Sequence, residues 1–187
     1  MGASREAGRR RFGLPAEGQV LAVFGALAGA SSLNELAAAT WGERGPAVLH
    51  VCGERDYESL LPRVRRPDYV LLPQTDHFGE VLAAADLALS RAGGTVWELA
   101  AAGLPAVLVP YPHATADHQL LNARHFERGG GAVVVPDAEL GRVPAIVADL
   151  LSDRPRLVQM RSAMLAMARP HAADEIAEEL IRLARAA

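Results

Sequence analysis

The stretch Ser90-Arg91-Ala92-Gly93-Gly94-Thr95-Val96-Trp97-Glu98 decides the fold, because an apolar run ends there and a helical pattern begins, with two glycines at the joint. Glycine lets a backbone approach a ligand closely, and the free N–H groups and positive dipole end of the following helix favour an anion. Glu98 falls one turn into that helix, where a carboxylate can accept two hydrogen bonds from a vicinal diol such as a ribose. A Gly-Gly joint also serves plain helix–sheet packing, and an acid in a first helical turn is favoured by the dipole alone. The neighbouring segments decide between these readings.

Outward from this joint, short apolar runs recur at Val20 to Phe24, Val48 to Val51, Tyr69 to Leu72, Leu87 to Leu89, Ala106 to Val109 and Ala132 to Val135. They carry little polar alternation, as expected of strands covered on both faces. Helical spacing fills the gaps: Ser32 to Trp41, Tyr57 to Val64, Phe78 to Ala84, Thr95 to Ala102, His118 to Arg128, Glu139 to Leu151, Pro155 to Ala168 and Asp174 to Ala186. Gly103 and Gly129 follow helices and Pro105 blocks continuation of one. Alternating strand and helix predicts a doubly wound α/β fold, a Rossmann-like parallel sheet of about six strands finished by helices. No repeat or linker divides it, so residues 1–187 are expected to form one domain. In the last helix Ile176, Leu180 and Leu183 make one apolar stripe, which packs either on this core or on a surface outside the chain.

Ligands of open parallel sheets bind beyond the carboxyl ends of the strands, which selects three loops. Phe24-Gly25-Ala26-Leu27-Ala28-Gly29-Ala30 is glycine-rich between a strand and a helix, again a shape for phosphate. It has neither a full dinucleotide fingerprint nor the Lys-Ser/Thr of a Walker loop, and Val51-Cys52-Gly53 offers no acid on the second strand. Nicotinamide binding and ATP hydrolysis are therefore disfavoured. The second loop is the Gly93-Gly94 turn. The third, Pro110 to Gln119, is stiffened by two prolines and brings Asp117, His118 and Gln119 to a helix start, with Asn122 one turn on.

Composition excludes other classes. The 187 residues are half apolar with net charge −3, which predicts a globular core and no footprint for nucleic acid. Arg5 and Arg9 to Arg11 read as a solvated helix face, with membrane-surface contact as the alternative. The single cysteine, Cys52, excludes an internal disulfide and suits a reducing cytoplasm; at a strand end it reads as a packed thiol. His113, His118 and His125 lack an acidic third ligand, so no metal or other cofactor is expected. Trp41 and Trp97 read as packing residues, and Gly129 to Gly131 as a helix-to-strand joint. No apolar stretch spans a bilayer, and the start lacks a secretory core.

Taken in order, the glycine-rich first loop, Arg91 to Glu98 (RAGGTVWE), Gly103-Leu104-Pro105, Val109-Pro110 and Asp117-His118-Gln119-Leu120-Leu121-Asn122-Ala123 resemble the C-terminal half of the MurG family. The resemblance runs from about Arg9 onward. It implies the donor-binding domain of a two-domain GT-B glycosyltransferase, one that moves N-acetylglucosamine from UDP-GlcNAc onto lipid I to complete lipid II for peptidoglycan. It also implies a peripheral protein at the inner face of the plasma membrane, with the acceptor surface and the catalytic base supplied by an N-terminal domain that nothing here matches. By the same resemblance Glu98 binds both ribose hydroxyls, Gly93, Gly94 and Thr95 with Val96 form the diphosphate turn, and His118 and Gln119 reach the sugar. Arg91 precedes the turn, Thr75 presents its backbone to uracil, and Gly25 and Leu27 occupy the first loop.

Two departures stand out. The family usually has Gly-Gly-Ser where this chain has Gly25-Ala26-Leu27, which removes a hydroxyl worth about 0.5–1.5 kcal/mol of donor binding. The glycine turn is also one residue shorter than in many relatives. Two other readings stay open: a cytosolic subunit of a split two-chain transferase, and a non-catalytic module that binds a nucleotide sugar.

Overall fold

The computed structural model describes residues 4–25 and 30–186. Arg5–Arg11 (α1) precedes Val20–Phe24 (β1), Ser31–Trp41 (α2), Ala47–Val51 (β2), Glu54–Leu60 (α3), Tyr69–Leu72 (β3), Phe78–Ala84 (α4) and Leu87–Ser90 (β4). Then come Thr95–Ala102 (α5), Ala106–Leu108 (β5), His118–Arg128 (α6), Ala132–Val134 (β6), Val143–Ser152 (α7), Arg154–Met167 (α8) and Ala172–Ala186 (α9). Among the described residues the strands form one parallel sheet of six, ordered β3-β2-β1-β4-β5-β6. This is the expected doubly wound α/β architecture.

Apolar side chains leave both faces of β1: Val20, Ala22 and Phe24 enter a core with Val81, Val96, Leu99, Phe126 and Met164, while Leu21 and Val23 enter another with Leu33, Trp41, Leu60 and Val147. Helices α4, α5 and α6 thus cover one face, and α2, α3 and α7 the other. Burial on both sides is why these strands read as continuous apolar runs. The chain winds leftward through β2 and β3 and rightward through β5 and β6, so the order reverses between β1 and β4, the switch point of such folds.

Two helices depart most from the expectation at their starts, the others by two residues or fewer. Helix α3 starts at Glu54, three residues before Tyr57, launched by Gly53 at φ +86°, and it tightens into a 3₁₀ turn over Leu61–Arg63 at Pro62. The segment expected as one helix from Glu139 opens as a 3₁₀ turn, Asp137–Arg142, with Glu139 off helical geometry, before α7. Gly103 closes α5 in the left-handed conformation (φ +61°), and after α6 that role falls to Gly130 (φ +80°), not Gly129.

The solvated reading of the N-terminal arginines is corrected at Arg9. That residue is 2% exposed, and its guanidinium donates to the carbonyls of Ala84, Pro15, Ala16 and Gly18 and to Asp86. Arg5 also reaches Asp86, and Arg11 reaches Glu80. Helix α1 is therefore docked on α4. Trp41 is buried as expected, whereas Trp97 is 41% exposed, edge-on to Phe126 and tilted over His125. Cys52 is fully buried, and burial raises its thiol to about 11, so it packs as an inert group. No helix among the described residues is long and apolar enough to cross a membrane.

Candidate functional site

Phe24 and Ser90 are register partners at the carboxyl ends of β1 and β4. The first glycine loop and the Gly93-Gly94 turn therefore leave the sheet side by side, at the switch point. Gly25, half-buried, follows β1 directly; Leu27 lies outside the described residues.

In the second turn, Val96 N–H donates to Gly93 and Trp97 N–H to Gly94. Among the described residues, the amides of Gly93, Gly94 and Thr95 donate to no protein acceptor. They are the unsatisfied donors of a helix start and can serve an anion. Val96 itself turns its side chain fully into the core. Glu98 projects from the first turn of α5 and is exposed.

Helix α6 holds this turn from above. Gln119 Oε1 accepts from the amides of Ala92 (3.3 Å) and Tyr111 (2.9 Å), and Asn122 Nδ2 donates to the Ala92 carbonyl (3.0 Å). With its oxygen so occupied, Gln119 is left with its Nε2 beside Gly93, 3.9 Å from where a β-carbon would stand. His118 Nδ1 lies 2.8 Å from the Thr115 carbonyl, which requires the proton on Nδ1 and leaves Nε2 as a bare acceptor on an exposed ring when neutral. Ala116 and Asp117 just before it have positive φ of 50° and 53°, a left-handed pair uncommon without glycine.

Arg91 sits differently from the other predicted residues. It is 7% exposed, and its guanidinium is held by Asp137 (2.6 Å), Ser32 Oγ (2.7 Å) and the Val109 carbonyl (3.2 Å). It ties the loops after β4, β5 and β6 to the start of α2. Thr75, half-buried beyond β3, accepts from the His77 amide in a local turn. Gly93, Gly94, Thr95, Gln119 and His118 are thus gathered around two adjoining helix starts.

A groove of about 1240 Å³ runs down the flank of the molecule, lined by Phe78, Gly79 and Glu98 and, farther down, by Asp86, Pro105 and Arg154. Its lower part lies at the strand starts and the glycine turn does not line it, so the register of β1 and β4 is the better guide to the site.

Sequence reading missed a buried polar network beneath α2. His50 is fully buried and bonded to Tyr69 Oη and Asn34 Oδ1, both at 2.9 Å. Burial lowers its imidazole to about 3 against a small opposing pull from Asp56, which keeps the ring neutral. The signal was present, a histidine inside the apolar run Ala47 to Val51. Among the described residues no group of three or more His, Cys, Asp or Glu could hold a metal.

The glycosyltransferase family 28 C-terminal domain matches residues 20–176. A UDP-N-acetylglucosamine--N-acetylmuramyl-(pentapeptide) pyrophosphoryl-undecaprenol N-acetylglucosamine transferase of Acidothermus cellulolyticus is 44% identical over 99% of this chain and 53% of its own length. Its namesake in Moorella thermoacetica is 39% identical over 96% of this chain, again 53% of its own length. The crystal structure of Acinetobacter baumannii MurG superposes with a TM-score of 0.78 at 26% identity, covering 89% of this chain and 52% of that one. The chain thus spans about half the length of the relatives it matches.

Proposed function

The chain belongs to the glycosyltransferase family 28 C-terminal domain family, and from that membership we propose that it is the donor-binding half of an inverting N-acetylglucosaminyltransferase. Its donor is UDP-GlcNAc and its acceptor lipid I, with lipid II for peptidoglycan as the product. The observation that carries this reading is the pairing of Phe24 with Ser90, which starts two glycine-bearing segments from neighbouring strand ends at the switch point. Gly93, Gly94 and Thr95 offer amides to the diphosphate, with Val96 locking the turn from the core. Gly25 follows β1 directly, Leu27 is carried over from the sequence resemblance alone, and Arg91 fixes the frame around the turn. Glu98 accepts from the ribose hydroxyls, the backbone at Thr75 faces uracil, and His118 and Gln119 reach the sugar.

In an inverting transfer the acceptor hydroxyl attacks the anomeric carbon from one face while the diphosphate leaves from the other. The amides at the start of α5 stabilise charge that builds on that leaving group, and they are oriented before reaction. The base and the acceptor surface belong to a second domain or subunit, as the roughly double length of the relatives would allow. As residues 1–187 form one donor domain, both substrates can be oriented only once that second part closes on it. The apolar residues Ile176, Leu180, Ile181 and Leu183 of α9, each 52–62% exposed, support such a partner. The complete enzyme would work at the cytoplasmic face of the membrane as a peripheral protein.

Radiolabelled transfer to lipid I tests this. The purified chain alone should give none and should regain transfer when mixed with, or fused to, a compatible N-terminal acceptor domain. Saturable transfer by the chain alone would overturn the half-enzyme reading and place the base among His113, His118 and Asp117.

A further inference from the structure

We propose that Asn34 and His50 are positioning residues that set the start of α2 against the donor's diphosphate; the proposal rests on the donor-binding reading above. Both side chains are nearly or wholly buried, at 1% and 0% exposure, yet both lie within one helical turn or one strand of the first glycine loop. The direction of every bond between them is fixed. Asn34 Nδ2 donates to the Cys52 carbonyl and to Asp56 Oδ2, both at 2.8 Å, so its Oδ1 must accept. His50 Nε2, 2.9 Å from that oxygen, therefore carries the ring proton. In a neutral imidazole Nδ1 is then an acceptor, and Tyr69 Oη at 2.9 Å donates to it.

The network surfaces at the first turn of α2. Asp56 also accepts from Ser31 Oγ at 2.9 Å and from Arg55, and Ser31 is the first residue of that helix. The next residue, Ser32, is held by Arg91 and Asp137 from the opposite side. The start of α2 is thus braced between the second and third strands on one flank and the β4 and β6 loops on the other. In this proposal its first amides, which take no side-chain cap, face the diphosphate beside those of α5, whereas the nucleoside is read by Glu98 on α5 and by the backbone at Thr75. Loosening Asn34 should therefore weaken recognition of the diphosphate and spare that of the nucleoside. A merely structural role would not make that distinction.

The test is the affinity of the full chain for UDP and for uridine by chemical-shift titration, in wild type, Asn34→Ala and His50→Leu. Circular dichroism confirms the fold of each. Binding of UDP by the wild type is the control, and its absence would overturn the donor-binding reading itself. Given that binding, Asn34→Ala should lose about tenfold in UDP affinity and keep uridine affinity within about twofold. His50→Leu, which fills the space and removes the donor to Asn34 together with the acceptor of Tyr69 Oη, should show the same selectivity with a smaller loss, and it decides the matter if Asn34→Ala does not fold. Equal losses for both ligands, or unchanged UDP affinity in a folded variant, overturn the proposal.

Discussion

Arg91 and Asp137 meet at 2.6 Å, with the arginine 7% exposed and the aspartate on the opening 3₁₀ turn before α7. Forty-six residues of chain separate them, and the pair closes the loops above β4, β5 and β6 onto α2. An arginine beside a glycine turn invites assignment to an anion, but here both of its terminal nitrogens are held within the protein.

Removing the arginine takes the guanidinium donors from the partly buried Asp137 carboxylate, which keeps only Ser32 Oγ, from that hydroxyl and from the Val109 and Pro110 carbonyls. Losing one partner of a buried pair costs about 3–5 kcal/mol. Because Asp137 keeps about a quarter of its side-chain exposure, the lower part of that range is expected for Arg91→Ala. Arg91→Lys, which retains charge but not the planar fork, should fall between. Urea denaturation midpoints measure this. Wild-type stability in Arg91→Ala would contradict the bracing role.

Glu98→Gln should weaken UDP-GlcNAc binding while leaving the fold intact, since the side chain is exposed. An amide accepts through one oxygen and forfeits charge-assisted bonds worth about 1.5–3 kcal/mol, roughly tenfold or more in affinity. The sharper comparison is UDP against 2′,3′-dideoxy-UDP. If mutant and wild type discriminate these ligands equally, Glu98 does not read the ribose.

His50 gives stability a pH dependence of known sign. Its folded pKa, lowered from 6.5 to about 3 by burial, lies below the unfolded value, so the unfolded chain takes up the proton first. Its contribution is complete above pH 6.5 and is lost as pH falls from there toward 3. The limiting slope for one proton is about 1.4 kcal/mol per pH unit. Denaturation midpoints across that window should fall less steeply in His50→Leu than in the wild type; parallel curves would contradict a buried neutral imidazole.

Gly8 lets α1 lie against α4. A β-carbon there would stand 2.5 Å from the Glu80 carbonyl oxygen, a backbone atom that cannot yield alone. Gly8→Ala should therefore lift α1, strain the Arg9 bonds and destabilise by about 1–3 kcal/mol. Thermal melts report the loss, and earlier cleavage near Arg9 to Arg11 by trypsin would accompany it. An unchanged melting temperature would show that α1 contributes little to the domain.

Strands and the glycine turn were legible because their signals are local: an apolar run such as Val20 to Phe24, then glycines, then helical spacing. The early start of α3 was not, since Glu54, Arg55 and Asp56 form a polar first turn that apolar periodicity cannot register. Arg9 was misread toward solvent, and the frame that Arg91 holds was not legible, for one reason. Burial of a guanidinium depends on acceptors such as the Ala84 carbonyl and Asp137, which only the tertiary fold delivers. His50 differed, because a polar residue within a buried strand announces a network even when its partners are unknown.

Calorimetric titration of the wild-type chain with UDP-GlcNAc in EDTA reads whether the helix starts at the β1/β4 switch point hold a nucleotide sugar. The donors in place are backbone amides at Gly93, Gly94 and Thr95, so saturable one-to-one binding is expected and added magnesium should not change it. No binding, or binding that appears only with a divalent ion, would contradict the account.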